Sequence, residues 1–116
     1  MNSPEGFIPL CSLADVGEGT IGSAVLPDGR RVAIYVVGGQ AFATDDRCTH
    51  GNSSLADEGC LEGHTVECGM HLGTFDVRTG QPTGAPCTKA LQTFPVEIHD
   101  GQVMLSATAL AVELGP

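Results

Sequence analysis

Cys48-Thr49-His50-Gly51 and Cys68-Gly69-Met70-His71 each set a thiol beside an imidazole, and the seventeen residues 51–67 lie between His50 and Cys68. Cys48 and His50 are two positions apart, so in extended backbone both side chains point to one side while Thr49 points away. Gly69 permits the tight turn that presents Cys68 and His71 together. Four such donors converging can hold a metal centre. A tetrahedral zinc ion accepts Cys2His2 ligation, but finger-type zinc sites usually set their two histidines together, whereas here each half supplies one Cys and one His. A 2Fe-2S cluster with cysteines on one iron and histidines on the other takes the same donors, at a potential far above that of an all-cysteine ferredoxin. The residues alone leave both occupants open. A catalytic Cys-His pair is the weakest reading, because no oxyanion donor or orienting group is legible nearby.

Outward from these stretches the chain reads as short strands joined by tight turns. It has 16 Gly and 7 Pro, little helical periodicity, 4% aromatic residues and no Trp. At 116 residues it is expected to form one domain, 1–116, too short to add a catalytic domain beside a metal module. The predicted elements begin with a strand from Phe7 to Cys11 and a helical turn capped by Ser12 and stopped by Gly17. Strands Ile21 to Leu26 and Arg31 to Val37 flank Pro27-Asp28-Gly29, whose Asp-Gly suits a hairpin, and Gly38-Gly39 turns the chain into Gln40 to Thr44. These make a small antiparallel sheet. From about Asp45 to Cys87 the chain is loop-rich, with short strands near Thr65 to Glu67 and Thr74 to Val77. The sheet is then expected to resume as a hairpin, Thr93 to His99 and Gln102 to Ser106, in which Phe94, Val96 and Ile98 face a core. Residues 107–116 read as a short helix or a tail.

Five cysteines is an odd number and two of them sit in the ligand pattern, so a disulfide framework is the weaker explanation. Cys11, Cys60 and Cys87 read as buried structural thiols, although Cys60 and Cys87 are alternative ligands in principle. His64 and His99 sit at turns and read as surface histidines. The N-terminal stretch lacks the basic start and apolar run of a secretory signal, and no segment reaches membrane-span length. A soluble protein of the reducing cytoplasm is expected. The formal net charge of -9 argues against nucleic acid and anionic membranes as partners and favours basic protein patches. Asp45, Asp46, Asp57, Glu58, Glu62, Glu67 and Asp76 crowd the ligand region, with Arg47 the only base among them; this is either a solvated acidic surface or a docking face.

The two boxes, Cys48-Thr49-His50-Gly51 and Cys68-Gly69-Met70-His71-Leu72-Gly73-Thr74-Phe75-Asp76, resemble the two-box motif of Rieske-type 2Fe-2S proteins. The likeness extends over the intervening residues, the Gly80-Gln81-Pro82-Thr83-Gly84-Ala85-Pro86 loop and the final hairpin. The length, the absent signal, and Asp57-Glu58-Gly59 followed by Val66-Glu67-Cys68 before the second box resemble the small soluble ferredoxins of bacterial aromatic-ring-hydroxylating dioxygenase systems. The resemblance implies an all-β Rieske fold: antiparallel sheets with an inserted cluster-binding subdomain, about 45–87, made of two ligand loops and a proline loop. It implies one 2Fe-2S cluster, with Cys48 and Cys68 on the inner iron and His50 and His71 on the outer, solvent-reaching one. It also implies a monomeric electron carrier, not itself an enzyme, between a flavoprotein ferredoxin reductase fed by NAD(P)H and a terminal oxygenase. The alternatives are a Rieske-like small subunit of a reductase, such as nitrite reductase, and a zinc-stabilised binding module. Respiratory Rieske proteins carry an extra cysteine in each box, and here those places hold Ser53 and Met70. Thr74 and Phe75 stand near a serine and a tyrosine that donate toward the cluster in those proteins. Fewer such donors imply a potential near about -150 mV rather than about +300 mV.

Overall fold

The structure is a computed structural model, and it describes residues 6–48, 53–69, 73–84 and 89–106. His50, His71, Gly51, Met70, Pro86, Cys87 and the C-terminal residues 107–116 lie outside them.

Among the described residues, eleven strands form three antiparallel sheets. Strands β2 (Ile21–Val25), β3 (Arg31–Val37), β4 (Gln40–Asp45) and β9 (Thr93–Phe94) make one sheet in that order. A second has the order β1 (Phe7–Ser12), β11 (Gln102–Ser106), β10 (Val96–His99). The third, β5 (Cys60–Glu62), β6 (Thr65–Glu67), β7 (Thr74–Asp76) and β8 (Pro82–Gly84), is the inserted subdomain.

Strand β3 joins the base to the insert. Side chains alternate across a strand, and a strand covered on both faces is apolar almost throughout. Val32, Ile34 and Val36 enter the base core with Leu26, Phe94, Val103 and Leu105. Ala33 and Tyr35 point the other way, into a second core with Cys48, Leu55, Val66, Cys68, Phe75, Val77 and Leu91. Tyr35 is fully buried there, and its hydroxyl lies 2.8 Å from Thr44 Oγ1.

The all-β architecture and the early hairpins match the expectation, with three differences in detail. The final hairpin is not one continuation of the opening sheet. Pro95 has no N–H to give a ladder and separates β9, which pairs with β4, from β10, which pairs with β11. Strand β1 pairs with β11 instead of joining the opening sheet. The turn capped by Ser12 is a 3-10 helix, Leu13–Asp15, closed by the Val16 N–H on the Leu13 carbonyl, one residue before the expected Gly17. Phe94 is buried in the base core, and Val96 and Ile98 are partly buried against it, as the alternation predicts.

Candidate metal centre

Each Cys-containing box is a loop with a hydrogen-bonded neck. In the first, Arg47 and Ser54 form an antiparallel bridge, and the Cys48 N–H donates to the Ser53 carbonyl at 3.0 Å. In the second, Glu67 pairs with Thr74 at the end of the β6–β7 ladder, and the Cys68 N–H donates to the Gly73 carbonyl at 2.7 Å. The two loops therefore share one frame: a cysteine whose amide closes onto the carbonyl five residues on. His50 and His71 fall inside these loops in sequence.

Cys48 is 1% exposed and Cys68 is 0% exposed, and both belong to the same apolar cluster. Twenty residues apart in sequence, they enter one cluster because β4 leads into one loop and the β6–β7 hairpin carries the other, both packing on the face of β3 that bears Ala33 and Tyr35. Below the first loop, Asp46 is almost buried and accepts from the Ala56 N–H at 2.8 Å and from Arg31 Nη1 at 3.2 Å. Its carbonyl accepts from the Leu55 N–H. That anchors the four-residue helix α1 (Leu55–Glu58), whose N-cap Ser54 accepts from the Asp57 N–H at 3.1 Å. Beyond the second loop, Thr83 Oγ1 donates to Thr74 Oγ1 at 2.8 Å, tying β8, the start of the proline loop, to the loop exit.

The acidic surface is thinner than the sequence suggests, because Arg31, brought in from β3, and Arg78, two residues after Asp76, pair with its carboxylates. Arg31 forks onto Asp57 at 2.9 and 3.0 Å besides reaching Asp46. Its hydrogen bond holds the Asp57 carboxyl below the usual carboxylate range. Arg78 holds Asp76 down in the same way across 2.9 Å. Glu58 and Glu62 remain exposed.

Cys60 corrects an expectation. It is exposed, because β5 is an edge strand whose outer face carries Cys60 and Glu62. Cys11 is half-buried, and burial pushes its thiol pKa up. His64 packs edge-on against Phe42, and His99 lies against Phe7 and 3.2 Å from Glu97. Helix α1 and strands β5 and β8 are absent from the sequence reading. The pattern Ser54-x-x-Asp57 was the available signal for α1.

The donor chemistry fits an iron-sulfur group. Two soft thiols are buried in one apolar cluster, each heading a loop of the same frame that carries a histidine two or three positions later in sequence. Among the described residues no three His, Cys, Asp or Glu gather as a metal site. His50 and His71, the other candidate donors of the two boxes, lie outside the described residues.

Comparison with known proteins agrees. The profile of the Rieske [2Fe-2S] domain matches residues 6–95. The ferredoxin component of the p-cumate 2,3-dioxygenase system of Pseudomonas putida is 45% identical over 103 residues, covering 89% of this chain and 87% of that protein. The ferredoxin component of the naphthalene 1,2-dioxygenase system of Pseudomonas putida is 41% identical over 99 residues, covering 85% and 93%. A solved complex of reduced oxygenase and oxidized ferredoxin in carbazole 1,9a-dioxygenase contains a chain that superposes with a TM-score of 0.79 at 39% identity, covering 90% of this chain and 95% of that one. With its paired loops, its two buried thiols and a family profile matching residues 6–95, the chain belongs to the Rieske [2Fe-2S] domain family.

Proposed function

We propose that this chain is the ferredoxin component of an aromatic-ring dioxygenase system, passing single electrons from an NAD(P)H-dependent flavoprotein reductase to a terminal oxygenase. It catalyses no reaction of its own. The observation that carries the reading is the pair of equally framed loops that bring Cys48 and Cys68 into one dry cluster. We assign Cys48 and Cys68 to one iron and His50 and His71 to the other. A 2Fe-2S centre so ligated exchanges one electron at a potential well above that of an all-cysteine cluster. The protein's part is to keep water from the thiolates through Leu55, Phe75 and Leu91, and to fix both loops on β3 and β6–β7 so that little rearranges when the charge changes.

The oxygenase as electron acceptor is supported by the carbazole dioxygenase complex, in which ferredoxin and oxygenase are bound to each other. The reductase follows from the need of a one-electron carrier for a donor. We read the chain as one domain, 1–116, with the insert at about 45–87, because its two cores share β3. We further place it in the reducing cytoplasm as a monomer. No helix among the described residues is long and apolar enough to cross a membrane.

Mixing the chain with a flavoprotein reductase, NADH and a terminal oxygenase in a stopped-flow cell tests the reading. We expect bleaching by the reductase, then recovery of colour when oxygenase is added, with the oxygenase reduced far more slowly when the chain is omitted. Equal oxygenase reduction without the chain would refute the shuttle. Permanent co-elution with a large reductase from native lysate would favour the small-subunit alternative.

A further inference from the structure

We propose that Glu58 is a positioning residue that fixes the separation of the two ligand loops, touching one through its side chain and the other through its main chain. Ser53, the residue that closes the first loop on the Cys48 amide, is 2% exposed. Its hydroxyl donates to Glu58 Oε2 at 2.7 Å. On the other side, the Glu58 carbonyl lies against Gly69, the residue after Cys68, so closely that a Cβ on Gly69 would collide with it. The next residue, Gly59, packs against the Glu67 carbonyl just before Cys68; a Cβ there would stand 3.1 Å away. Leu55, one turn back in α1, is fully buried in the cluster that holds both thiols. Helix α1 is thus wedged between the loops, and Glu58 is the residue that meets both.

The Ser53 hydroxyl is buried and depends on an acceptor, and a carboxylate makes the stronger, charge-assisted bond. Without it the neck of the first loop loses its side-chain link to the C-terminal end of α1 and keeps only the Asp46 contacts at the helix start, while β3 and the base core are untouched. The consequence belongs to cluster retention rather than to global folding. This inference rests on the assignment of Cys48 and Cys68 as ligands.

The test compares holo-protein carrying Glu58→Ala, Glu58→Gln, Ser53→Ala and the Glu58→Ala/Ser53→Ala pair. The readouts are the rate of visible bleaching in excess iron chelator and amide hydrogen exchange. We expect each alanine variant to bleach roughly tenfold faster, the double variant to bleach no faster than the singles, and Glu58→Gln, whose amide oxygen still accepts, to stay within about threefold of the parent. Exchange at the Cys48 and Cys68 amides should quicken while exchange in β3 does not change. Parental bleaching in Glu58→Ala, additive effects of the two alanines, or β3 exchange rising in step would overturn the proposal. The Ser53→Ala and Glu58→Gln changes remove or alter a few atoms at most, so they keep the test open even where Glu58→Ala folds badly. A parent protein without iron-sulfur absorption would overturn the ligand assignment instead.

Discussion

Tyr35 stands where the base meets the metal-binding insert, fully buried, with its hydroxyl donating to Thr44 Oγ1, which itself donates to the Asp45 carbonyl. Burial pushes its phenol pKa above the ordinary value. A raised folded pKa means that the stabilisation is complete below the unfolded tyrosine pKa of about 10 and is lost as pH climbs from there through the folded value. Tyr35→Phe should therefore cost about 1 kcal/mol at neutral pH by removing one buried hydrogen bond, and should flatten the alkaline loss of stability, followed by urea unfolding, above about pH 10. An unchanged alkaline slope would place the titration elsewhere. At the ligands, His71→Cys should lower the midpoint potential substantially while keeping some cluster, and an unmoved midpoint would show that His71 is not on iron. Reactive residues were the most legible part of the sequence, because Cys and His are scarce and their spacing is local. The exposure of Cys60 was not legible, since it depends on which face of an edge strand turns outward, and that is set by pairing with β6.

Among the elements, the turn from β7 to β8 shows how backbone contacts tie the insert to the segment that leads into β9. Gly80 has φ +79, donates to the Asp76 carbonyl at 2.7 Å and accepts from the Leu91 N–H at 2.8 Å. A Cβ there would meet the Leu91 carbonyl oxygen, a main-chain atom that cannot rotate away. Gly80→Ala combines a left-handed backbone with this collision, and should destabilise the fold by at least about 2 kcal/mol in denaturant unfolding. A loss below about 0.5 kcal/mol would mean that the turn relaxes freely. The same scale separates what could be read from what could not. The hairpins at Gly38-Gly39 and Asp100-Gly101 announce themselves through residues that accept positive φ. The strands Cys60–Glu62 and Pro82–Gly84 are the two edges of their sheet, each paired on one side only among the described residues, and their partners define them. Likewise Pro95 splits one apparent strand into two that serve different sheets, a consequence of tertiary pairing.

For the whole molecule, the net charge of -9 is spread unevenly once folded, because Asp46, Asp57 and Asp76 are ion-paired while Glu58 and Glu62 stay exposed near the ligand loops. Encounter with a basic partner face should accordingly slow as salt rises, since screening shortens the reach of exposed charge to about 10 Å at 0.1 M. Stopped-flow rates of oxygenase reduction that stay flat across ionic strength would remove electrostatic steering from the account. The central claim is a Cys/His-ligated 2Fe-2S centre held by two loops of equal frame, and a redox titration of the purified protein, followed by its visible and EPR signals, tests it most directly. The expected result is a red-brown protein with a one-electron midpoint near about -150 mV, whereas a midpoint near about -400 mV would mean all-cysteine ligation. A colourless, redox-silent protein containing zinc would contradict the electron-carrier reading altogether.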